Sequence, residues 1–143
     1  MQKITVEVTV NSDIKNVWGK WTSPEAVKVW CHASDDWAVG NVENDVRVDG
    51  RFLTNMHSVD NTESFDFTGT YIDVVDMEKL VYKMDKLESD VGHRMCEITF
   101  EKISDMETKV TETFDMESLN SEELQRAGWQ AILDNFKKFV EGK

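Results

Sequence analysis

Apolar residues recur at every second position at the start of the chain: Ile4, Val6, Val8 and Val10 alternate with Thr5, Glu7 and Thr9. Successive side chains of a strand point to opposite faces, so this alternation predicts a half-buried strand. The period then changes. Asn11, Ser12 and Asp13 offer a helix cap, and Ile14, Val17, Trp18 and Trp21 follow at helical spacing. A second short helix runs to about Trp30, with Ser23 as its cap and Pro24 at its first position, where a missing N–H costs nothing. Residues 31–40 show no clear period and read as loop.

Beyond that loop the period of two returns. Residues 42–48 and 51–59 predict strands around Asp49-Gly50, a strong hairpin signal, and Asp60-Asn61 makes the next turn. Within residues 64–75, Phe65 and Phe67 share a face. Past Gly69 the apolar set shifts to Ile72 and Val74, which predicts a bulge or bend at Gly69. A turn at 76–78 leads to a strand over 79–85. The run 92–103 places Cys96, Ile98 and Phe100 on one face, and after a turn at 104–107 the strand 109–116 carries Val110 and Phe114 among Thr and Glu.

The last stretch, residues 120–143, has the longest helical pattern. Trp129, Ile132, Leu133, Phe136 and Val140 form one stripe with Phe139 at its edge, while Glu123, Gln130, Asp134, Lys137, Lys138 and Glu141 take the other face. Asn120 is the expected cap, with Glu123 returning the bond in a capping box. Glu122 and Glu123 suit the positive end of the helix dipole, Lys137 and Lys138 the negative end, and Gly142 the left-handed stop. From 121 to 141 such a helix is about 30 Å long, enough to cross a small sheet. Gln125 lies along the apolar stripe, at its solvated end or on a ligand, and Gly128 in the helix interior suggests close packing on a strand.

The order β-α-α-β6-α is that of an α+β domain spanning residues 1–143, with about seven antiparallel strands closed by one long C-terminal helix. A sheet of that size curls, and the helix alone cannot fill its hollow. Trp30, Trp37, Phe52, Met56, Phe65, Phe67, Tyr71, Phe100 and Phe114 are the bulky residues that either fill or line the space.

Composition narrows the class. The formal charge of −12 repels phosphate backbones and anionic lipid, so neither nucleic acid nor a membrane surface is an expected partner. The strand-like N-terminus and the lack of a long apolar run predict a soluble, cytoplasmic protein, as a monomer or homodimer. Cys31 and Cys96 lack CxxC spacing and read as reduced, packed thiols. His32, His57 and His93 form no zinc pattern, and no phosphate-cradling glycine motif occurs, so no metal, cofactor or catalytic constellation is assigned. Arg47 alternates with Val46 and Val48. It either pairs with Glu43, Asp45 or Asp49 or anchors an anionic head group, and the facing of His57 is equally open.

The strings VWGKWTSPEAVKVW, SDDWAVGNVENDVRVDGRF, FDFTGTY and ELQRAGWQAILDNFKKFVE resemble the START-like (SRPBCC) superfamily, and within it the AHSA1-like branch related to the activator of the Hsp90 ATPase. The resemblance covers nearly the whole chain and implies the helix-grip fold, a curved antiparallel sheet wrapped around the C-terminal helix with a pocket between them. Superfamily members bind lipids, hormones or polyketides, and some are enzymes. The resemblance therefore implies a small apolar or amphipathic ligand in that pocket. The alternatives are a chaperone-binding module, although the eukaryotic co-chaperone has more than one domain, or an enzyme acting on a hydrophobic substrate. Trp30, Trp37, Phe52, Phe67, Tyr71 and Trp129 stand where such proteins line the pocket. Met56, Phe65, Leu133 and Phe136 join them as apolar candidates, and Arg47, His57, Tyr71 and Gln125 are the polar groups able to orient a ligand.

Overall fold

The alternation of residues Lys3–Val10 (β1) is what the fold uses: Ile4, Val6 and Val10 are buried while Lys3, Thr5, Glu7 and Thr9 face out. These and the following elements come from a computed structural model that describes residues 2–86 and 92–142. Met1 and Lys143, at the outer limits of the strand-like start and the helical end, lie outside the described residues. Helices α1 (Ile14–Thr22) and α2 (Pro24–Trp30) begin at Asp13 and Ser23, whose side chains accept from the N–H groups of Asn16 and Ala26. Six strands follow: β2 (Trp37–Asn44), β3 (Arg51–Ser58), β4 (Ser64–Val75), β5 (Lys79–Met84), β6 (Met95–Ser104) and β7 (Glu107–Asp115), before helix α3 (Glu122–Val140).

All neighbours are antiparallel, in the order β1-β7-β6-β5-β4-β3-β2. β2 through β7 pair in chain order as a meander, and β1 closes the far edge by pairing Lys3–Val10 with Asp115–Thr108. The sheet curls into a half-barrel around α3, the helix-grip arrangement. Left-handed residues mark three turns, at Asp49 (φ 69), Asn61 (φ 63) and Met77 (φ 58), and Gly142 (φ 76) follows α3 as expected of a helix stop.

Edge strands expose unpaired carbonyls, and β1 is one. Here α3 covers it. Arg126 Nη1 donates to the Thr5 carbonyl at 2.8 Å, Gln130 Nε2 to Glu7 at 3.1 Å and Lys137 Nζ to Thr9 at 2.6 Å. The polar face of the helix therefore caps alternate carbonyls of the strand beside it, while the stripe turns inward. Leu133 and Phe136 are fully buried.

Several expectations change. β2 starts at Trp37 inside the expected loop and stops at Asn44, with a register shift between Val39 and Val42; residues 45–50 form the turn, so Arg47 is on no strand. Ser121 rather than Asn120 caps α3, accepting from the Leu124 N–H at 3.1 Å. A Cβ on Gly128 would meet nothing within 4 Å, so that glycine makes no close packing contact. Gly69 is needed for a reason other than a bulge. The β4–β5 register shifts between Tyr71 and Asp73, whereas Gly69 sits regularly opposite Phe52, and a Cβ there would lie 2.6 Å from both the Phe52 ring and the Lys83 carbonyl oxygen.

Candidate functional site

Under the C-terminal half of α3 the interior is filled with rings. Phe136 meets Trp21 edge-on at 4.9 Å and Trp30 at 4.8 Å between centroids, and Phe100 meets Trp18 at 5.1 Å and Trp21 at 5.8 Å. Offset and edge-to-face pairs of this kind add to the stability that burial alone provides. Trp30 also satisfies its indole N–H, which donates to the Lys20 carbonyl at 3.1 Å.

Under the N-terminal half the space stays open. A cavity of about 370 Å³ lies between the curled sheet, α2 and α3. Its apolar lining comes from α1 and α2 (Trp21, Val27, Trp30), from β2 to β4 (Val42, Phe52, Met56, Phe65, Phe67, Tyr71), from β5 and β6 (Tyr82, Met84, Ile98) and from α3 (Trp129, Ile132). Phe52 is the hub of the aromatic wall, within 4.8–5.5 Å of the Phe67, Tyr71 and Tyr82 rings. It can stand there because Gly69 beneath it has no side chain. Trp129 stacks flat on Phe114, with centroids 3.8 Å apart, and closes the wall from above.

Polar groups enter this wall at defined places. Tyr71 Oη donates to Asn44 Oδ1 at 2.6 Å, while Asn44 Nδ2 donates to the Thr22 carbonyl at 2.9 Å, so both are satisfied. Burial pushes the Tyr71 and Tyr82 phenols up, and the Cys31 thiol up to about 12, leaving these groups neutral at pH 7. Asp85 holds Arg51 through two bonds of 2.7 and 2.6 Å; that contact, with a hydrogen bond from Thr68, lowers its carboxyl to about 2.

Glu112 is different. On β7 it lies between Val110 and Phe114 on the inward face, 4% exposed, and contributes to the cavity wall. Its carboxyl makes no hydrogen bond or ion pair among the described residues, and burial alone raises it to about 8. A carboxyl in this setting is mostly protonated at pH 7. Arg94, on the approach to β6, is also buried and faces the same cavity.

The candidates read from sequence separate into two groups. Trp30, Phe52, Met56, Phe65, Phe67, Tyr71 and Trp129 are brought together around the cavity, with Phe65 half-exposed at its mouth. Trp37, Arg47, His57, Gln125, Leu133 and Phe136 are placed elsewhere. Trp37 meets the Phe65 ring edge-on at 5.8 Å and is not part of the cavity lining. Arg47 is exposed and holds Asp45 at 2.8 and 3.0 Å, which corrects the anchor reading. His57 alternates away from Phe52, Thr54 and Met56 and contacts Asn55 at 3.2 Å. Gln125 is buried but spends its amide on the backbone: Oε1 accepts from Glu117 N–H at 2.9 Å, and Nε2 donates to the Glu117 and Asn120 carbonyls. It fastens the segment leading into α3 and is not turned to a ligand. Leu133 and Phe136 belong to the filled end.

Sequence reasoning missed Glu112, Arg94, Tyr82 and Met84. Alternation with Val110 and Phe114 was the available signal for Glu112, because residues two apart on a strand share a face. Among the described residues no group of three His, Cys, Asp or Glu side chains is placed to hold a metal ion, and no helix is long and apolar enough to cross a membrane.

Known proteins add the lineage. A family model described as "Activator of Hsp90 ATPase homolog 1-like protein" matches residues 11–141. The solution structure of an AHSA1-like protein from Aeromonas hydrophila is 37% identical, with a TM-score of 0.88 over 99% of this chain and 93% of that one. The solution structure of Chr148 from Cytophaga hutchinsonii is 40% identical, with a TM-score of 0.81 over 98% and 92%. Protein CV1439 from Chromobacterium violaceum shares the fold at 19% identity, with a TM-score of 0.84 over 99% of both chains. Among curated proteins none matches. With the family match spanning both short helices, six strands and the gripping helix, the chain belongs to the Activator of Hsp90 ATPase homolog 1-like family.

Proposed function

We propose that this protein binds a small apolar or amphipathic molecule in the cavity beneath α3. The observation that carries the reading is the unfilled 370 Å³ space in an otherwise ring-packed interior. That volume lies within the range of ordinary ligand sites, and an aromatic wall with few polar groups is their usual make-up. Apolar surface buried there would contribute about 25 cal/mol per Å². The test is a titration with N-phenyl-1-naphthylamine, a neutral dye that brightens in apolar surroundings, followed by displacement with 1-octanol. Saturable brightening reversed by octanol supports the reading, and no brightening at micromolar protein and dye contradicts it.

A second reading follows from the family description, which names activation of the Hsp90 ATPase. In it the surface, with a formal charge of −12, steers the chain to a basic face of a chaperone. A complex with Hsp90 in analytical ultracentrifugation that is lost as added salt shortens the Debye length from about 10 Å at 0.1 M to about 3 Å at 1 M supports it. Co-migration absent at low salt contradicts it.

A further inference from the structure

A buried carboxyl with no partner is costly, and a fold can dispense with it by placing a leucine or glutamine there. Glu112 is such a group. It occupies the cavity wall with 4% exposure and no hydrogen bond or ion pair among the described residues. The Cys31 thiol after α2, the Tyr82 phenol of β5 and the Cys96 thiol of β6 lie near enough for the charge of Glu112 to raise each of them, and none of the three carries positive charge. Charge around the rest of the wall has one prevailing sign. Glu43, Asp66, Asp85 and Glu117 line the cavity with Glu112, against Arg94 as the cation among the described lining residues.

We infer that the ligand is an apolar primary amine, its ammonium seated on the Glu112 carboxylate and its hydrocarbon chain among the rings of Phe52, Phe67, Tyr82 and Trp129. This rests on the binding reading above and names the chemistry of its ligand. An ammonium brings three donors and no acceptor, which suits a lone carboxylate. Aromatic faces attract a desolvated cation, and the wall supplies several. An anionic ligand would meet the carboxylates of Glu43, Asp66 and Glu117 with Arg94 as the cation among the described lining residues, and a neutral alcohol would gain a hydrogen bond at Glu112 without the charge pair. The acidic surface raises the local concentration of cations at the mouth. The proton balance is simple. As the ammonium enters, the Glu112 carboxyl gives its proton to solvent, and the charge within the wall is unchanged by the pair that forms.

Octylamine, 1-octanol and octanoate share one chain and differ in the head group, so calorimetric titration of the three at pH 7.5 isolates the inference. Octylamine is expected to bind at least about tenfold more tightly than 1-octanol, with octanoate weakest. Titrations in two buffers of different ionisation enthalpy should show release of most of one proton for octylamine and none for 1-octanol. In Glu112→Gln the amine preference should vanish and the proton release with it, and an unchanged circular dichroism spectrum reports that the variant is folded. Equal binding of amine and alcohol, or an amine preference that survives E112Q, overturns the inference and leaves the binding reading standing. Failure of all three probes overturns both.

Discussion

Toward the C-terminal end of α3, Phe136 is wedged between Trp21 and Trp30; nearer the N-terminal end and the middle, Trp129 and Ile132 look onto a cavity of about 370 Å³ that the same tryptophans border. Both halves are built from the same stripe and the same kinds of residue. What differs is the partner. At the filled end, α1 and α2 bring tryptophans against the helix, whereas at the open end the curled strands β3 to β5 stand away from it. Aromatic content thus says little about whether an interior is solid. The route of the chain over the sheet decides it, because Trp21 and Trp30 of the two short helices close on Phe136 but only border the space beside Trp129 and Ile132.

The contrast can be broken by substitution. Phe136→Ala should cost about 3–5 kcal/mol in urea unfolding, the usual effect of removing a fully buried ring that neighbours cannot replace. A loss under about 1 kcal/mol would show that this end is not tightly packed.

The open end carries its own penalty, and pH reports it. Glu112 has its carboxyl raised from 4.5 to about 8 on folding. The folded state therefore holds a proton that the unfolded state has released. Stability contributed by this group is full below pH 4.5, falls as pH rises by up to about 1.4 kcal/mol per unit, and is lost by about pH 8. Glu112→Gln should flatten this decline and be the more stable protein at pH 8. Parallel pH profiles of the two proteins, measured as unfolding midpoints from pH 5 to 9, would contradict the buried, unpartnered carboxyl.

Gly69→Ala should cost about 1–3 kcal/mol, since the added methyl meets the Phe52 ring and a backbone oxygen at 2.6 Å. It should also displace Phe52 and weaken the aromatic wall. Phe67→Ala sharpens the comparison from the other side. Its ring is only half-buried at the cavity, so its removal should cost about 1–2 kcal/mol, well below Phe136→Ala, while reducing dye binding more. Equal stability losses at the two positions would erase the distinction between the ends.

Most of the architecture was legible in the sequence because periodicity and punctuation carry it. The valines at 4, 6, 8 and 10, Ser23-Pro24 and the stripe on α3 each specify one element through local physics, and the turns at 49, 61 and 77 follow the same logic. The start of β2 was hidden because residues 37–40 owe their strand form to pairing with β3 across a bulge, a non-local effect. Arg47 was misplaced for the same reason: a strand read past Asn44 is a turn in space.

The site was less legible. Bulk marked Trp30, Phe52, Phe67 and Tyr71 as interior residues and the family resemblance set them and Trp129 along a pocket, but whether such residues meet each other or a void depends on the distance between helix and sheet, which no local pattern encodes. Gln125 shows the limit clearly. A polar residue on an apolar stripe suggests a ligand contact, yet its amide is consumed by the backbone of Glu117 and Asn120. Glu112 is the converse, a charge hidden among threonines that the strand turns inward. Likewise Gln130 and Lys137 read as a solvated helix face but, together with Arg126, cap the carbonyls of β1.

The central claim is that the space beneath α3 is a binding site. Native mass spectrometry of freshly purified protein tests it most directly. The account predicts a population heavier than the bare chain by a small molecule, lost on denaturation and restored when the stripped protein is given octylamine. A spectrum of the bare chain alone, unchanged by octylamine or 1-octanol under conditions that preserve non-covalent complexes, would contradict it.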